Sequence, residues 1–309
     1  MGDLDARRRP AVWAALAAIY LIWGSTYLGI ELAMRTMPPL LMLSLRFLIA
    51  GSLLWLLVGR GLRPTWPQWR AAILIGGALL LFGNGGVAIA QQTIDTGTVA
   101  LIVGSVPLWL ALLDRVFLGQ RLAPAAVAGL VVGFGGVALL AGGAGGGSLG
   151  GAAVVLVGSL AWAAGSLYAR RSELPERPLA GAALQMLAAG VLLGLGGLVR
   201  GEAGDVDVAA ISGESLAALA YLVLIGSLVG FSAYVWLLRN APTSLVGTYA
   251  YVNPVVAVAL GTLVLGEPLG ARVLVGGAAI LAAVILIVSA RPLAAPTART
   301  GAVAPTRAR

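Results

Sequence analysis

The sequence predicts an all-α integral membrane protein with ten transmembrane helices, arranged as two inverted repeats of five helices each. Two observations support this prediction. First, 60% of the 309 residues are hydrophobic and only 10% are charged, which leaves too little polar surface to cover a water-soluble globule. Second, residues 107–139 match residues 254–286 at a constant offset of 147, with Pro107 on Pro254. We therefore expect a duplicated chain that folds in a bilayer.

The predicted helices are apolar runs of about 20 residues, the length that spans a bilayer. Short breaks with proline, glycine or charged residues separate them. The runs lack the two-residue alternation of outer-membrane barrel strands. We expect the first helix to be retained, because its run exceeds the roughly 7 to 15 residues of a signal-peptide core. The helices cover residues 11–33, 40–59, 71–92, 97–117, 124–142, 149–169, 179–199, 214–238, 243–265 and 271–290.

These helices divide the chain into a first repeat, residues 11–142, and a second repeat, residues 149–290. A glycine-rich linker over 143–148 joins them. The linker has no lysine and follows no strand, which argues against a phosphate-binding loop. Residues 1–10 are expected to form a cytoplasmic N-terminus. The residues 291–309, rich in Arg, Ala and Pro, are expected to form a disordered cytoplasmic tail.

A second offset, of 139 residues, extends the repeat toward the start of each half. It places Trp23 on Trp162 and Arg46 on Gln185. Because each repeat has an odd number of helices, the second repeat is expected to enter the membrane in the opposite direction. Inverted repeats support two nearly equivalent conformations, each open to one side, which is what alternating-access transport requires.

The charged residues predict the orientation and exclude several functions. All 20 basic residues are arginine, and 16 of them fall on the side of the N-terminus. Arginine-rich loops remain in the cytoplasm, so both termini are predicted to be inside. The net charge of +8 then reflects topology, and we expect no nucleic-acid partner. The absence of cysteine, histidine and lysine argues against an enzyme, and no metal or cofactor is expected.

Arg46 is the one basic residue predicted to lie well inside a helix. An unpaired charge there costs at least about 2.5–3.5 kcal/mol. We predict that Arg46 faces the protein interior and binds an anionic group of the solute, such as a carboxylate. The alternatives are bonds to backbone carbonyls, or extension of the side chain to the headgroups beyond Pro38 and Pro39.

Carboxylates are expected only near the ends of the predicted helices. Glu31 precedes Arg35 by four residues, a spacing that favours an ion pair on one helix face. Proton coupling is the alternative role for Glu31. Asp95, Asp114 and Glu267 are expected to be solvated. Coupling of transport to protons is therefore left as an alternative.

Aromatic and polar side chains recur at matching places in the two repeats and predict a cavity. Trp23 and Tyr27 share one face of the first helix, and Trp162 and Ser166 occupy the matching face of the sixth. Such residues would bind a small, partly apolar solute, with an interfacial tryptophan belt and plain interhelical hydrogen bonds as alternatives. The predicted substrate-binding residues are Trp23, Tyr27, Arg46, Asn84, Trp162, Ser166, Tyr249 and Asn253.

Prolines and glycines predict hinges and close packing. Pro107 and Pro254 occupy matching places in the fourth and ninth helices. Each proline removes one backbone hydrogen bond and bends its helix. We predict a symmetric pair of hinges or gates, with a static kink as the alternative. Glycine pairs with three residues between them, such as Gly226 and Gly230, predict close contacts between helices.

Several motifs resemble the drug/metabolite transporter superfamily, in its EamA branch. Two paired segments carry the resemblance, 107–122, which ends in Leu-Gly-Gln-Arg-Leu, and 254–269, which ends in Leu-Gly-Glu-Pro-Leu. The start is also similar, with Trp-Gly-Ser-Thr-Tyr at 23–27 and Leu-Arg-Phe at 45–47. The resemblance covers about residues 11–290. It is specific for the fold and says little about the solute.

The resemblance implies an inner-membrane carrier with two inverted five-helix EamA-type repeats that moves small metabolites, often amino acids, outward. It also implies a central cavity drawn from the first, third, fourth, sixth, eighth and ninth helices. Gln120 stands where the family has glutamate, which removes that carboxylate from the first repeat, and Glu267 is expected to cap the turn before the last helix. One chain holds both repeats, so a monomer suffices. The alternative function is a flippase for a lipid-linked substrate.

Overall fold

The computed structural model describes residues 9–119, 122–142 and 148–289. The expectations for residues 1–8, for Gln120, for most of the glycine-rich linker and for the C-terminal tail lie outside these described residues.

Most of the described residues lie in helices and none of them lies in a strand, and the prediction of an all-α membrane protein is confirmed. Within the described parts of the chain, nine helices are long and apolar enough to cross a membrane, and a tenth, Tyr249–Leu265, is shorter, at 17 residues. Short helical turns at Glu202–Asp205, Val208–Ala210 and Thr243–Val246 connect some of them. The helices are α1 Arg9–Met34, α2 Pro39–Val58, α3 Trp66–Gln91, α4 Thr96–Phe117, α5 Pro124–Ala141, α6 Ser148–Ala169, α7 Pro178–Val199, α8 Gly213–Asn240, α9 Tyr249–Leu265 and α10 Ala271–Ser289.

Helices α3 and α8 each contain an eight-residue π-helical stretch, Gly77–Asn84 and Leu222–Val229. The wider i→i+5 turn changes the direction of the side chains along the helix, and such stretches are frequent at functional sites. Both stretches lie near the middle of their helix and each is followed by glycine. The two repeats therefore share a local distortion as well as a sequence pattern.

Glycine allows the matching helices of the two repeats to pack closely. Helix α2 lies against α7, and α5 lies against α10. A Cβ atom at Gly136 on α5 would lie 2.8 Å from the carbonyl oxygen of Gly276 on α10, and a Cβ at Gly276 would lie 3.1 Å from that of Gly136. Any larger residue would force the two backbones apart, so the contact depends on glycine at both places.

Contacts near the ends of helices define two faces of the helix bundle. On the N-terminal face, where α1 begins, the Arg177 guanidinium donates to the Val58 carbonyl at 2.9 Å. On the opposite face, where α1 ends, Arg35 forms an ion pair with Glu214.

The two predicted proline hinges differ in the structure. Helix α4 is interrupted at Gly104 and Ser105, and Pro107 lies in the first turn of the helical segment Val106–Leu118 that follows. In the second repeat the chain turns at residues 247–248, and Pro254 lies after that turn, inside the uninterrupted helix α9. The expected symmetric kinks are therefore offset, because only the first proline coincides with a break.

Candidate functional site

Arg46 lies buried between α2 and α8. Only 3% of the residue is exposed, and its guanidinium Nε donates to the Ser227 hydroxyl at 3.2 Å. The guanidinium carbon lies 4.8 Å from the centre of the Phe47 ring. Its Nη1 atom is buried and has no hydrogen-bond partner among the described residues. The side chain therefore does not extend to the headgroups, and it holds a charge that no described carboxylate pairs with.

Glycines in α8 make room for Arg46 and for Trp23. A Cβ at Gly226 would lie 3.3 Å from Nη2 of Arg46 and 3.2 Å from the Thr26 methyl group. A Cβ at Gly230 would lie 2.5 Å from Nε1 of Trp23. This glycine pair was expected to bring helices together, and it also seats two of the predicted binding residues one turn apart.

Trp23 is the centre of an aromatic cluster formed by α1, α8 and α9. Its ring centroid lies 5.6 Å from Phe231, 5.1 Å from Tyr234 and 5.2 Å from Tyr249. Tyr234 and Tyr249 contact each other edge to face, with centroids 5.8 Å apart. Aromatic pairs in these geometries stabilise their arrangement beyond simple burial. The structure thus brings two predicted residues, Trp23 and Tyr249, into contact.

The predicted residues of the sixth helix lie in a separate, matching place. A Cβ at Gly83 on α3 would lie 2.6 Å from Cε3 of Trp162, which repeats the contact between Gly230 and Trp23. Asn84 follows Gly83 and donates weakly to the Leu79 carbonyl, at 3.5 Å. The Ser166 hydroxyl donates to the Trp162 carbonyl within its own helix. These three residues gather around α3 and α6, apart from the aromatic cluster.

Two further predicted residues lie on the helices that surround the cluster. Asn253 on α9 is 8% exposed, and its buried Oδ1 atom has no partner among the described residues. The Tyr27 carbonyl accepts a hydrogen bond from Nε2 of Gln91 at 3.0 Å, and the same Gln91 nitrogen donates to the Thr96 hydroxyl at 3.1 Å. Gln91 therefore connects α1, α3 and α4 near the opposite face.

Glu267 binds the beginning of α4, which corrects the expectation that it is solvated or caps its own turn. Its carboxylate accepts from the backbone N–H groups of Thr96 at 2.6 Å and Gly97 at 2.9 Å. A carboxylate at a helix N-terminus satisfies free N–H groups and is attracted by the helix dipole. Partial burial raises the pKa of the neighbouring Asp95 carboxyl, and the nearby Glu267 charge raises it further.

The expected pair between Glu31 and Arg35 does not form. Nη1 of Arg35 instead contacts both carboxylate oxygens of Glu214, each at 3.0 Å. Oε2 of Glu31 is buried and has no hydrogen-bond partner among the described residues. Sequence spacing identified a possible partner within the helix, but a residue 179 positions away in the chain competes for it.

The sequence did not identify three of the contacts that organise this region. Ser227, the partner of Arg46, had one indirect indication in the sequence. It directly follows Gly226, which with Gly230 was predicted to form a close contact between helices. Gln91 lies at the end of an apolar run, and its spacing gives no indication of its partners. Glu202 accepts from the backbone N–H groups of Leu40 and Leu41, at 2.9 and 3.0 Å, and so caps α2. Nothing in its acidic loop could indicate that contact.

Comparison with protein families identifies this architecture. The model of the EamA-like transporter family matches residues 9–142 and again residues 149–289, which together include the aromatic cluster, Arg46 and both glycine contacts. The chain belongs to the EamA-like transporter family. The predicted family is thereby confirmed, and this EamA-like protein is a membrane transporter with two EamA repeats.

Relatives of this EamA-like transporter agree with that assignment. An uncharacterised inner membrane transporter of Escherichia coli (strain K12), YedA, is 40% identical over 296 residues, which cover 92% of this chain and 95% of the relative. An uncharacterised transporter of Bacillus subtilis (strain 168), YvbV, is 26% identical over 280 residues, with 88% and 90% covered. The similarity to YedA and the many apolar helices identify a multi-pass inner-membrane protein.

One solved crystal structure supports the fold. It superposes with a TM-score of 0.62 at 22% identity, over 90% of this EamA-like transporter and 97% of the solved chain.

Proposed function

We propose that this protein exports small metabolites that carry a carboxylate, amino acids or related amphipathic solutes, across the inner membrane by alternating access. The observation that carries the proposal is Arg46, a buried cation with an unpartnered Nη1 atom and no described carboxylate beside it. An uncompensated charge is costly in a membrane protein. A bound carboxylate would offset that cost and complete the hydrogen bonding of the guanidinium.

The surroundings of Arg46 favour an amphipathic solute. One turn along α8 from Gly226, the aromatic cluster of Trp23, Phe231, Tyr234 and Tyr249 offers an apolar surface with hydroxyl groups at its edges. A carboxylate near Arg46 would direct the rest of such a solute toward these rings. Ligand sites commonly combine a mainly apolar lining with a few fixed polar groups in this way.

We propose further that ten helices cross the membrane, including the shorter α9, as two inverted repeats. Matching helices lie together, α2 with α7 and α5 with α10. The contacts between tryptophan and glycine also occur twice, once in each combination of repeats. The excess of arginine on the side of the N-terminus supports cytoplasmic termini. One chain then supplies both halves, so a monomer is sufficient.

The helices pack differently at the two faces of the bundle. In an alternating-access transporter, each of the two conformations is closed at one face and open at the other. Near the opposite face, α9 lies against the Thr96–Val103 segment of α4, and Glu267 and Gln91 bind Thr96. Toward the N-terminal face, the Val106–Leu118 segment of α4 lies against α6 and α10 instead. We infer that α4 and α9 close the opposite face in this arrangement and separate from each other toward the N-terminal face.

Counterflow in proteoliposomes tests the proposal. Vesicles loaded with a mixture of unlabelled amino acids are given labelled ones outside, with and without a pH gradient. We expect accumulation by the wild type and loss of accumulation with Arg46→Ala. Gln185→Ala is the matched control, because Gln185 occupies the same place in the other repeat, and it should retain transport. The pH gradient distinguishes proton coupling from exchange.

Two results would contradict the proposal. Normal counterflow by a monodisperse Arg46→Ala protein would remove Arg46 from the site. Absence of counterflow for every amino acid would show that the solute belongs to another class of metabolite. The flippase alternative receives no support from the matched family or from the named relatives.

A further inference from the structure

Two grooves occupy matching places in the two halves of the molecule. One lies between α3 and α6 at the N-terminal face, with a volume of about 200 Å³. The other lies between α1 and α8 toward the opposite face, with a volume of about 330 Å³. We call them the N-face groove and the opposite groove. The N-face groove is lined among others by Trp66, Arg70, Tyr168, Arg171, Ser172 and Glu173.

The repeat offsets relate the grooves residue by residue. The offset of 147 places Arg70 on Ala217, and the offset of 139 places Arg171 on Leu32. All four of these residues line their groove. The further matched pairs are Pro67 with Glu214, Ala71 with Ala218 and Tyr168 with Gly29. Two arginines in the N-face groove therefore replace two apolar residues of the opposite groove.

The two arginines of the N-face groove are not neutralised by the protein. In the described parts of the chain, neither Arg70 nor Arg171 forms an ion pair, whereas the adjacent Arg170 lies 3.7 Å from Asp114. Glu173 lines the groove as well. Two guanidinium groups against one carboxylate leave a net positive charge, which favours an anionic ligand.

The position of the groove indicates a ligand from the bilayer. It lies where α3 begins and α6 ends, at the level where a helix leaves the hydrocarbon region. Trp66 is 72% exposed and Tyr168 is 40% exposed, and tryptophan and tyrosine favour the headgroup level of a membrane. One to two turns deeper on α3, Ile73 and Leu74 are exposed and would contact acyl chains.

We propose that the N-face groove binds the headgroup of an anionic phospholipid. The phosphate lies between the guanidinium groups of Arg70 and Arg171, which donate hydrogen bonds to its oxygens. The rings of Trp66 and Tyr168 contact the glycerol region, and the acyl chains follow the exposed side of α3. The opposite groove lacks both cations, so it does not select for anionic lipid.

Native mass spectrometry of the full chain in detergent tests this site. Dioleoylphosphatidylglycerol is titrated against dioleoylphosphatidylcholine, and lipid adducts are counted. The double variant Arg70→Ala with Arg171→Leu gives the N-face groove the residues of the opposite groove. We expect it to weaken phosphatidylglycerol binding by roughly 30-fold, since each arginine near an anionic lipid contributes about fivefold. Phosphatidylcholine binding should not change.

The matched control is Arg60→Ala with Arg63→Ala, which removes two arginines from the adjacent loop and should keep phosphatidylglycerol binding. Equal weakening in the control would overturn the site in favour of diffuse surface charge. Equal binding of both lipids by the wild type would overturn its selectivity. Displacement by free glycerol phosphate would assign the groove to a soluble anion. If the first variant aggregates, Arg70→Gln with Arg171→Gln repeats the test with polar side chains.

Discussion

Arg46 and Gln185 occupy matching positions on α2 and α7, but the two repeats surround them differently. Arg46 meets Gly226 on α8, which leaves space for its guanidinium. The residue that matches Gly226 in the first repeat is Leu79, and Leu79 fills its space against Gly165, where a Cβ would lie 2.5 Å from Leu79 Cδ1. The repeats thus share a scaffold, while single substitutions give only one of them a buried cation.

The two grooves show the same relation, with a shared backbone and different side chains. Arg70 and Arg171 on the N-terminal face correspond to Ala217 and Leu32 toward the opposite face. The backbone forms a groove in both places, and the side chains decide its charge. Duplication therefore provides each half of the molecule with a control for the other.

Moving the buried charge to the other repeat should have the largest effect. The double variant Arg46→Gln with Gln185→Arg exchanges the two side chains at constant net charge. We expect transport in the counterflow assay to fall by at least about 30-fold, because loss of one member of a buried charged contact costs about 2–5 kcal/mol. The position that matches Gly226 is occupied by Leu79, so an arginine at 185 lacks the space that Gly226 gives Arg46. Transport near the wild-type level would mean that the position of the cation is unimportant.

Filling the space beneath the two tryptophans should destabilise both repeats by similar amounts. A Cβ at Gly83 or at Gly230 would lie 2.6 or 2.5 Å from an indole atom. We expect Gly83→Ala and Gly230→Ala each to lower the free energy of unfolding by about 1–3 kcal/mol, as overpacking does. Thermal unfolding in detergent measures this.

The control for the glycine variants is Gly135→Ala, because a Cβ there meets nothing within 4 Å. It should leave the unfolding temperature unchanged or raise it slightly. If Gly83→Ala were harmless while Gly230→Ala destabilised the protein, the two contacts would not be equivalent, and the structural symmetry would be weaker than the offsets suggest.

Removing the charge of Glu267 should loosen the opposite face by a smaller amount. The chain has no cysteine, so Thr98→Cys on α4 can report access by a membrane-impermeant maleimide. We expect Glu267→Gln to increase the labelling rate about fivefold, since a charged helix cap contributes about 1 kcal/mol. Glu214→Gln, which removes an exposed carboxylate paired with Arg35, should have little effect. Equal acceleration by both variants would argue against a specific closure.

Much of the fold could be predicted because the membrane limits the choices. Apolar runs bounded by proline and glycine predicted the helix positions, and the structure begins or ends most helices within a few residues of them. The interruption of α4 at Gly104 was less predictable, because Pro107 alone does not specify which turn breaks. Likewise, the π-helical stretches leave no distinct pattern in an apolar run.

The candidate site could be predicted only in part. Arg46 was evident, because a lone cation in an apolar helix needs a partner, and the paired tryptophans followed from the repeat. The hydrogen-bond partners in this region could not be predicted. Ser227 lies 181 residues from Arg46 and Glu267 lies 171 residues from Thr96, and no local spacing relates such residues. Whether the eight predicted residues bind the solute stays a prediction.

The sequence by itself determined that this chain is a helical membrane protein, that it is duplicated, and which family it belongs to. Those properties follow from hydrophobicity, from the spacing of breaks and from the offset between repeats, all of which are local or periodic. Only the tertiary structure decided that Trp23 meets Gly230, that Arg46 meets Ser227 and that Glu267 caps α4. These contacts depend on how helices from different repeats pack, and the same apolar surface allows many packings until small residues and single hydrogen bonds select one.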